Sequence, residues 1–219
     1  MVEIASIKRS NRHGITIRID KQGNVNVYAS YYESEENILR FVQSKEKWIE
    51  KHVNMVKAFY AKYDTSNLKE GDTVYVLGVP YTLKIGDYKK AGIIGKEFVL
   101  HVNQAKDVEK SLKKWYMEVA KIHLSKVLEK ELRGENVTLK LTSARGKWGS
   151  INIKGELRLN FRLIACPNYA IRYVCCHELC HLKEMNHSQN FYKLLDERFP
   201  DRKKAEKWLK DNAGLLNAF

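Results

Sequence analysis

One stretch guides the interpretation of the whole chain: Cys175-Cys176-His177-Glu178-Leu179-Cys180-His181-Leu182-Lys183-Glu184-Met185-Asn186-His187-Ser188. It contains the pattern His177-Glu178-x-x-His181. A helix has about 3.6 residues per turn, so His177 and His181 would lie on one helix face and could bind the same ion. Glu178 would then point beside the ion, where it could take a proton from a water molecule that the metal activates. The stretch therefore predicts a metal site on a helix.

A third histidine completes the predicted ligand set. His187 follows His181 by six residues, which leaves room for the helix to end and the chain to turn back. Three protein ligands with one open position are typical of a catalytic zinc site, whereas structural sites are closed by four. The sequence thus predicts Zn²⁺ held by His177, His181 and His187, with Glu178 as the catalytic base.

The alternative is an amphipathic helix that carries histidines on its surface. Three of the seven histidines in the chain fall within eleven positions, which argues against it. Pro167 fits a helix start about three turns upstream. An apolar stripe also occupies a different face from the histidines, formed by Ile171, Val174, Cys175, Leu179 and Leu182.

Composition limits the class of protein. A chain of 219 residues can form one large domain or two small ones. Its net charge of +13 indicates either a polyanionic partner or a basic surface that binds no specific partner. No apolar run approaches the ~20 residues that span a bilayer, and the first residues carry no apolar signal segment. The four cysteines cluster near the predicted metal helix, as expected of buried thiols in a reducing compartment. We therefore expect a cytoplasmic protein.

Alternating and helical patterns predict an α+β fold with two domains, 1–104 and 105–219. The N-terminal domain is predicted to be β-rich with two helices, and its first three strands to form an antiparallel meander. The C-terminal domain is predicted to contain a long helix, a small antiparallel sheet, the metal-site helix at 167–185 and two terminal helices. In the strand predicted at 156–163, Arg158, Asn160 and Arg162 alternate with apolar residues and should form an exposed basic face.

Motifs along nearly the whole chain resemble those of a known family. In the C-terminal half these are Arg145-Gly-Lys-Trp148-Gly149-Ser150, Leu157-Arg-Leu-Asn-Phe-Arg-Leu163, His177-Glu-Leu-Cys-His181 and Asn186-His187-Ser188; in the N-terminal half they include Ile7-Lys-Arg-Ser10 and Leu77-Gly-Val-Pro-Tyr81. The chain resembles the YgjP-like metallopeptidase family, a zincin group related to SprT-like and WLM proteins. The resemblance implies the same three histidine ligands and Glu178 as general base. The family usually has Cys where this chain has Ile151.

Two other zincin classes share parts of the pattern. The histidine spacing equals that of metzincins, but Glu184 stands in place of their glycine and no methionine follows His187 to form a Met-turn. In gluzincins, a glutamate replaces the third histidine. Glu197 or Glu206 could serve in that role, whereas Glu184 lies too near the end of the first helix, and we favour His187 over all three.

The expected activity is hydrolysis of peptide bonds in a peptide or protein substrate, whose backbone would pair with the strand around 148–152. Candidates for stabilising the developing oxyanion are Arg145, Lys147, Arg158, Tyr173 and Tyr192. One alternative is a nucleotide phosphohydrolase, such as a pyrophosphatase, with Arg145, Lys147, Arg158 and Arg162 binding phosphates. Another is a nucleic-acid-associated protease or a zinc-held binding module that uses the basic surface.

Overall fold

The computed structural model describes residues 2–11, 13–63, 68–102 and 107–217, and it confirms an α+β fold. The chain divides into two compact units, Met1–Asp64 and Thr65–Phe219. The domain boundary predicted after residue 104 lies outside the described residues. The strands between residues 73 and 100 group with the second unit.

The first unit contains a three-stranded sheet and two helices. The strands are β1 (Ile4–Ser10), β2 (Thr16–Ile19) and β3 (Val25–Ser30), and the helices are α1 (Glu35–Ser44) and α2 (Glu46–Tyr63). Ser34 caps α1, because its side chain accepts a hydrogen bond from the backbone N–H of Asn37. The buried core of this unit includes Val25, Val27, Ala29, Ile38, Val42 and Ile49.

The predicted antiparallel meander is wrong. The strand order is β1-β3-β2, and β1 runs parallel to β3. Of these three strands, β2 and β3 form an antiparallel hairpin. The carboxylate of Asp20 accepts hydrogen bonds from the backbone N–H groups of Gln22 and Asn24 and closes its turn. Alternation identifies the strands and their buried faces, but it does not specify which strands are neighbours.

The second unit begins with a four-stranded sheet of order β4-β5-β7-β6 and a long helix. Its strands are β4 (Thr73–Val76), β5 (Val79–Ile85), β6 (Gly92–Ile94) and β7 (Glu97–Leu100), followed by α3 (Val108–Glu131). A stripe at four-residue spacing is buried along α3: Val108, Leu112, Tyr116, Ala120, Leu124 and Leu128. Helix α3 packs against the helix that carries the predicted metal ligands.

A second sheet consists of β8 (Thr138–Thr142), β9 (Gly149–Ile151) and β10 (Glu156–Asn160), in the order β8-β10-β9. It is mixed rather than antiparallel as predicted, because β8 pairs with β10 in parallel. The loop 143–148 crosses the end of β10 and places β9 on the far side. The Asn160 amide donates to the carbonyls of Ala144 and Lys147 at 2.7 and 3.1 Å, which fixes this crossing loop.

The exposed basic face predicted on β10 is also wrong in part. The strand ends at Asn160, and Phe161–Ala165 forms a 3₁₀ helix. Asn160 and Arg162 are both buried, and the Arg162 guanidinium donates to the carbonyl of Ser143 at 3.1 Å. Their polar groups bind backbone carbonyls of the crossing loop, so alternation alone misplaces them. Arg158 is exposed, as predicted.

Three helices complete the unit: α4 (Asn168–Cys180), α5 (Gln189–Arg198) and α6 (Arg202–Asp211), with a 3₁₀ helix at Ala213–Asn217. Helix α4 packs against α3, α5, α6 and β9, so it lies at the centre of the unit. All four cysteines lie on or next to α4 and are buried and unbonded to one another. Among the described residues, no helix has the length and apolar character needed to cross a bilayer.

Candidate metal centre

Three histidine side chains converge at the C-terminal end of α4. The possible ligand atoms of His177, His181 and His187 all lie within 4.8 Å of one another. The Nε2 atoms of His177 and His187 are 3.1 Å apart. His177 lies in the last turn of α4, and His181 follows directly after the helix, so the one-turn spacing places both rings on one side.

A tight turn brings His187 back to the helix. Helix α4 ends at Cys180, five residues before the predicted end, and short turns follow through Glu184. The Asn186 side chain accepts from the backbone N–H of Ser188 at 3.1 Å. The Ser188 hydroxyl donates to the Glu184 carboxylate and accepts from the N–H of Phe191, which caps α5. These polar contacts hold His187 between two helix ends.

Two of the three rings have their second nitrogen fixed. The Nδ1 atom of His181 lies 3.0 Å from the Glu184 carbonyl, which can only accept a hydrogen bond, so this nitrogen carries the proton. The Nδ1 atom of His177 lies 3.3 Å from the hydroxyl of Tyr173. Burial, together with the neighbouring His181 and His187, lowers the pKa of His177 to about 4. His177 is therefore neutral at physiological pH, as a metal ligand must be.

Glu178 lies beside the histidines and is only 8% exposed. Burial raises the pKa of its carboxyl to about 7, although Lys147 and a hydrogen bond from the backbone N–H of Ile151 act in the opposite direction. Gly149 leaves the space that Glu178 occupies. A Cβ atom on Gly149 would lie 2.9 Å from both Cγ and Oε1 of Glu178. Strand β9 thus binds this carboxylate through the N–H group of Ile151 and leaves room for it at Gly149.

The histidines and Glu178 face a cavity of about 670 Å³ within the second unit. One wall is the crossing loop and β9, from Gly146 to Ile151; the other is formed by α4, α6 and the final 3₁₀ helix. Of the predicted oxyanion candidates, Lys147 and Tyr173 line this cavity. Arg145, Arg158 and Tyr192 are not among its described lining residues, and Arg158 pairs with Glu156 at 2.7 Å.

The alternative third ligands have other partners or positions. Glu184 accepts from Ser188, and Glu206 accepts from Tyr173 and from Arg202. Glu197 lines a different pocket. Within the part of the chain that the structure describes, His177, His181 and His187 are the group that could hold a metal ion. Arg162 is buried, so the four basic residues expected to bind phosphate do not converge at this cavity.

This donor set fits a divalent metal. Two nitrogens bound tetrahedrally to one zinc ion lie about 3.3 Å apart, from Zn–N bonds of about 2.0 to 2.1 Å. The 3.1 Å between the Nε2 atoms of His177 and His187 is close to this value. Imidazole nitrogens are ligands that suit zinc and other first-row divalent metals.

Comparison with known proteins gives the family. Residues 13–212 match the YgjP-like metallopeptidase domain. The chain belongs to the YgjP-like family. The match extends over both structural units and includes all three histidines and Glu178.

Two solved structures resemble part of this YgjP-like chain. Both are crystal structures of metallopeptidase zymogens, and each aligns with 42% of the chain. Abylysin from Pyrococcus abyssi has 21% identity, a TM-score of 0.33 and 90% of its own chain covered. Jannalysin from Methanocaldococcus jannaschii has 25% identity, a TM-score of 0.34 and 91% covered. The search of curated proteins found no match.

Membership in the YgjP-like family supports a metal-dependent hydrolase that acts on peptides or proteins, and the family implies a divalent metal. It gives no support to nucleic-acid binding. From the sequence alone, Gly149 was assigned no role, and Glu206 was considered as an alternative third ligand and not as a partner of Tyr173. A glycine inside a predicted strand is a known signal of close approach by another group, so Gly149 could have been found. The contact between Glu206 and Tyr173 joins residues 33 positions apart and has no local signal.

Proposed function

We propose that this protein is a zinc-dependent peptidase in which His177, His181 and His187 hold the ion and Glu178 is the general base. The observation that carries the proposal is the convergence of the three imidazoles beside a buried carboxylate, in one cavity. When bound, zinc would acidify a water molecule and polarise the carbonyl of the scissile peptide bond. The residues of the chain would supply the remaining steps.

Glu178 is suited to moving the proton. A carboxyl group with a pKa of about 7 can take a proton from the attacking water and return it to the leaving amine near neutral pH. The N–H of Ile151 and the absence of a side chain at Gly149 hold the carboxylate in place. Preorganisation of this kind avoids a rearrangement of the base during the reaction.

Strand β9 is suited to aligning the substrate. It is an edge strand of its sheet, because β10 is its one neighbour in the strand order, and its residues line the cavity. An extended substrate could add to this edge by backbone hydrogen bonds and so bring its peptide bond to the histidines. Of the side chains with positive charge that were candidates for the oxyanion, Lys147 lines the cavity, and we assign this role to it.

The test is the substitution Glu178→Gln in the zinc-loaded protein. We expect it to keep zinc at one equivalent per chain and to lose cleavage of an unstructured protein such as denatured casein, because an amide cannot take the proton. Persistent cleavage at the wild-type rate would refute the assignment of the base. A parallel assay with nucleoside triphosphates tests the phosphohydrolase alternative, and release of pyrophosphate without peptide cleavage would refute the peptidase assignment.

A further inference from the structure

We propose that Tyr173 and Glu206 form a hydrogen-bonded pair that positions His177 and sets its affinity for the metal. This inference rests on the proposed metal site. Tyr173 lies one helical turn before His177 on α4, and Glu206 comes from α6. The pair links the helix that carries the ligand to α6, which packs against it and lines the same wall of the cavity.

The direction of each hydrogen bond follows from the groups involved. The Tyr173 hydroxyl donates to Oε1 of Glu206 at 3.1 Å. Because the hydroxyl hydrogen points to the carboxylate, the hydroxyl oxygen accepts a hydrogen bond from Nδ1–H of His177 at 3.3 Å. This arrangement places the proton of His177 on Nδ1. Its Nε2 atom is then free to bind a metal, and this atom faces His187.

Glu206 is itself held in position. Arg202 donates to the same oxygen, Oε1, at 2.9 Å, and also pairs with Asp196 of α5. Arg202 is 18% exposed and Tyr173 only 7%, so both contacts are partly shielded from water. A carboxylate at the end of such a chain polarises the hydroxyl and, through it, the imidazole N–H. The result is a more basic Nε2 and a stronger metal ligand.

The other fixed ligand provides a contrast. His181 is oriented by the backbone carbonyl of Glu184, which no side-chain substitution removes. The orientation of His177 depends instead on the side chains of Tyr173 and Glu206. Substitutions at Tyr173 and Glu206 should therefore change metal affinity although neither residue is proposed to bind the metal. Such outer partners typically contribute 10- to 100-fold to metal affinity.

The experiment measures the zinc dissociation constant by competition with a chromophoric chelator, on the full chain and at fixed pH. Tyr173→Phe removes one oxygen atom and keeps the ring, which packs on Phe199. We expect it to weaken zinc binding about 10- to 100-fold and to shift the visible absorption spectrum of the cobalt-substituted protein. Tyr169→Phe, one turn earlier on the same helix, is the matched control and should bind zinc as the wild type does.

Two substitutions of Glu206 separate positioning from a general effect on the fold. Glu206→Gln can still present one oxygen to both Tyr173 and Arg202, so it should lose about threefold or less, whereas Glu206→Leu should lose about tenfold or more. Thermal unfolding of each metal-free variant is measured alongside. Equal losses in the Gln and Leu variants, or wild-type affinity in Tyr173→Phe, would overturn the inference. Wild-type zinc affinity in His177→Ala would instead overturn the proposed metal site.

Discussion

The substitution Gly149→Ala tests whether the position of Glu178 controls the rate of hydrolysis. The added Cβ would lie 2.9 Å from Cγ and Oε1 of Glu178, and 3.1 Å from Cδ. Carbon atoms in contact prefer about 3.5 to 4.0 Å, so the carboxylate must move by roughly 0.5 to 1 Å. A displacement of about 1 Å in a catalytic group can cost about 100-fold in rate.

We therefore expect Gly149→Ala to lower kcat about 30- to 100-fold on an unstructured peptide substrate. Zinc affinity should stay within about twofold of the wild type, because Glu178 is not among the three proposed ligands. The measurements are kcat and KM for the zinc-loaded enzyme, together with zinc competition. A loss of zinc that parallels the loss of activity would show that the substitution damages the metal site instead.

Gly146→Ala is the matched control. Gly146 lines the same cavity and has an ordinary backbone conformation, and a Cβ atom there would meet no atom within 4 Å. It should keep kcat within about twofold of the wild type, since nothing has to move. If both alanine variants have the wild-type kcat, the close contact between Gly149 and Glu178 does not matter for catalysis, and the reasoning is refuted.

Three further predictions concern charge, metal and pH. Lys147→Met should lower kcat about 100-fold and Lys147→Arg much less, measured on the same peptide; equal rates would remove Lys147 from catalysis. Zinc at 100 times its dissociation constant should stabilise the protein by about 2.7 kcal/mol, seen as a higher Tm that chelation reverses, and His187→Ala should abolish this gain. Burial alone would raise the pKa of Glu135, but hydrogen bonds from Arg198 and a backbone N–H lower it to about 2. Because the folded-state pKa is the lower one, this carboxylate should contribute about 2 kcal/mol above pH 4.5 and lose it as the pH falls towards 2. Urea unfolding of Glu135→Gln should therefore show the full difference at pH 7 and roughly half of it or less at pH 3.

Local signals predicted much of the fold. Ser34 caps α1 and Ser188 caps α5, because a serine ahead of a helical pattern satisfies free backbone N–H groups over a few residues. The one-turn spacing of His177 and His181 likewise depends on the helix alone. Each of these features is determined by residues close together in the chain.

Features that depend on distant residues were missed. Asn160 and Arg162 alternate with apolar residues and were expected on an exposed face, but they bind carbonyls of a loop 13 to 19 positions earlier. The parallel pairings of β1 with β3 and of β8 with β10 also depend on chain crossings, which alternation does not encode. The pair of Tyr173 and Glu206 is a contact of the same kind. Interactions made by folding the chain back on itself have no periodic signature.

The buried amide of Asn160 has a consequence for how this enzyme could diversify. It bonds to the crossing loop at two carbonyls, and Arg162 bonds to a third, so the cavity wall that carries Lys147 is tied to the sheet interior. Inserting even one residue between Ser143 and Trp148 would deprive a buried group of an acceptor. Changes of substrate range should therefore arise on the opposite wall beyond Glu206, by substitution of the lining residues Leu209, Lys210 and Ala213.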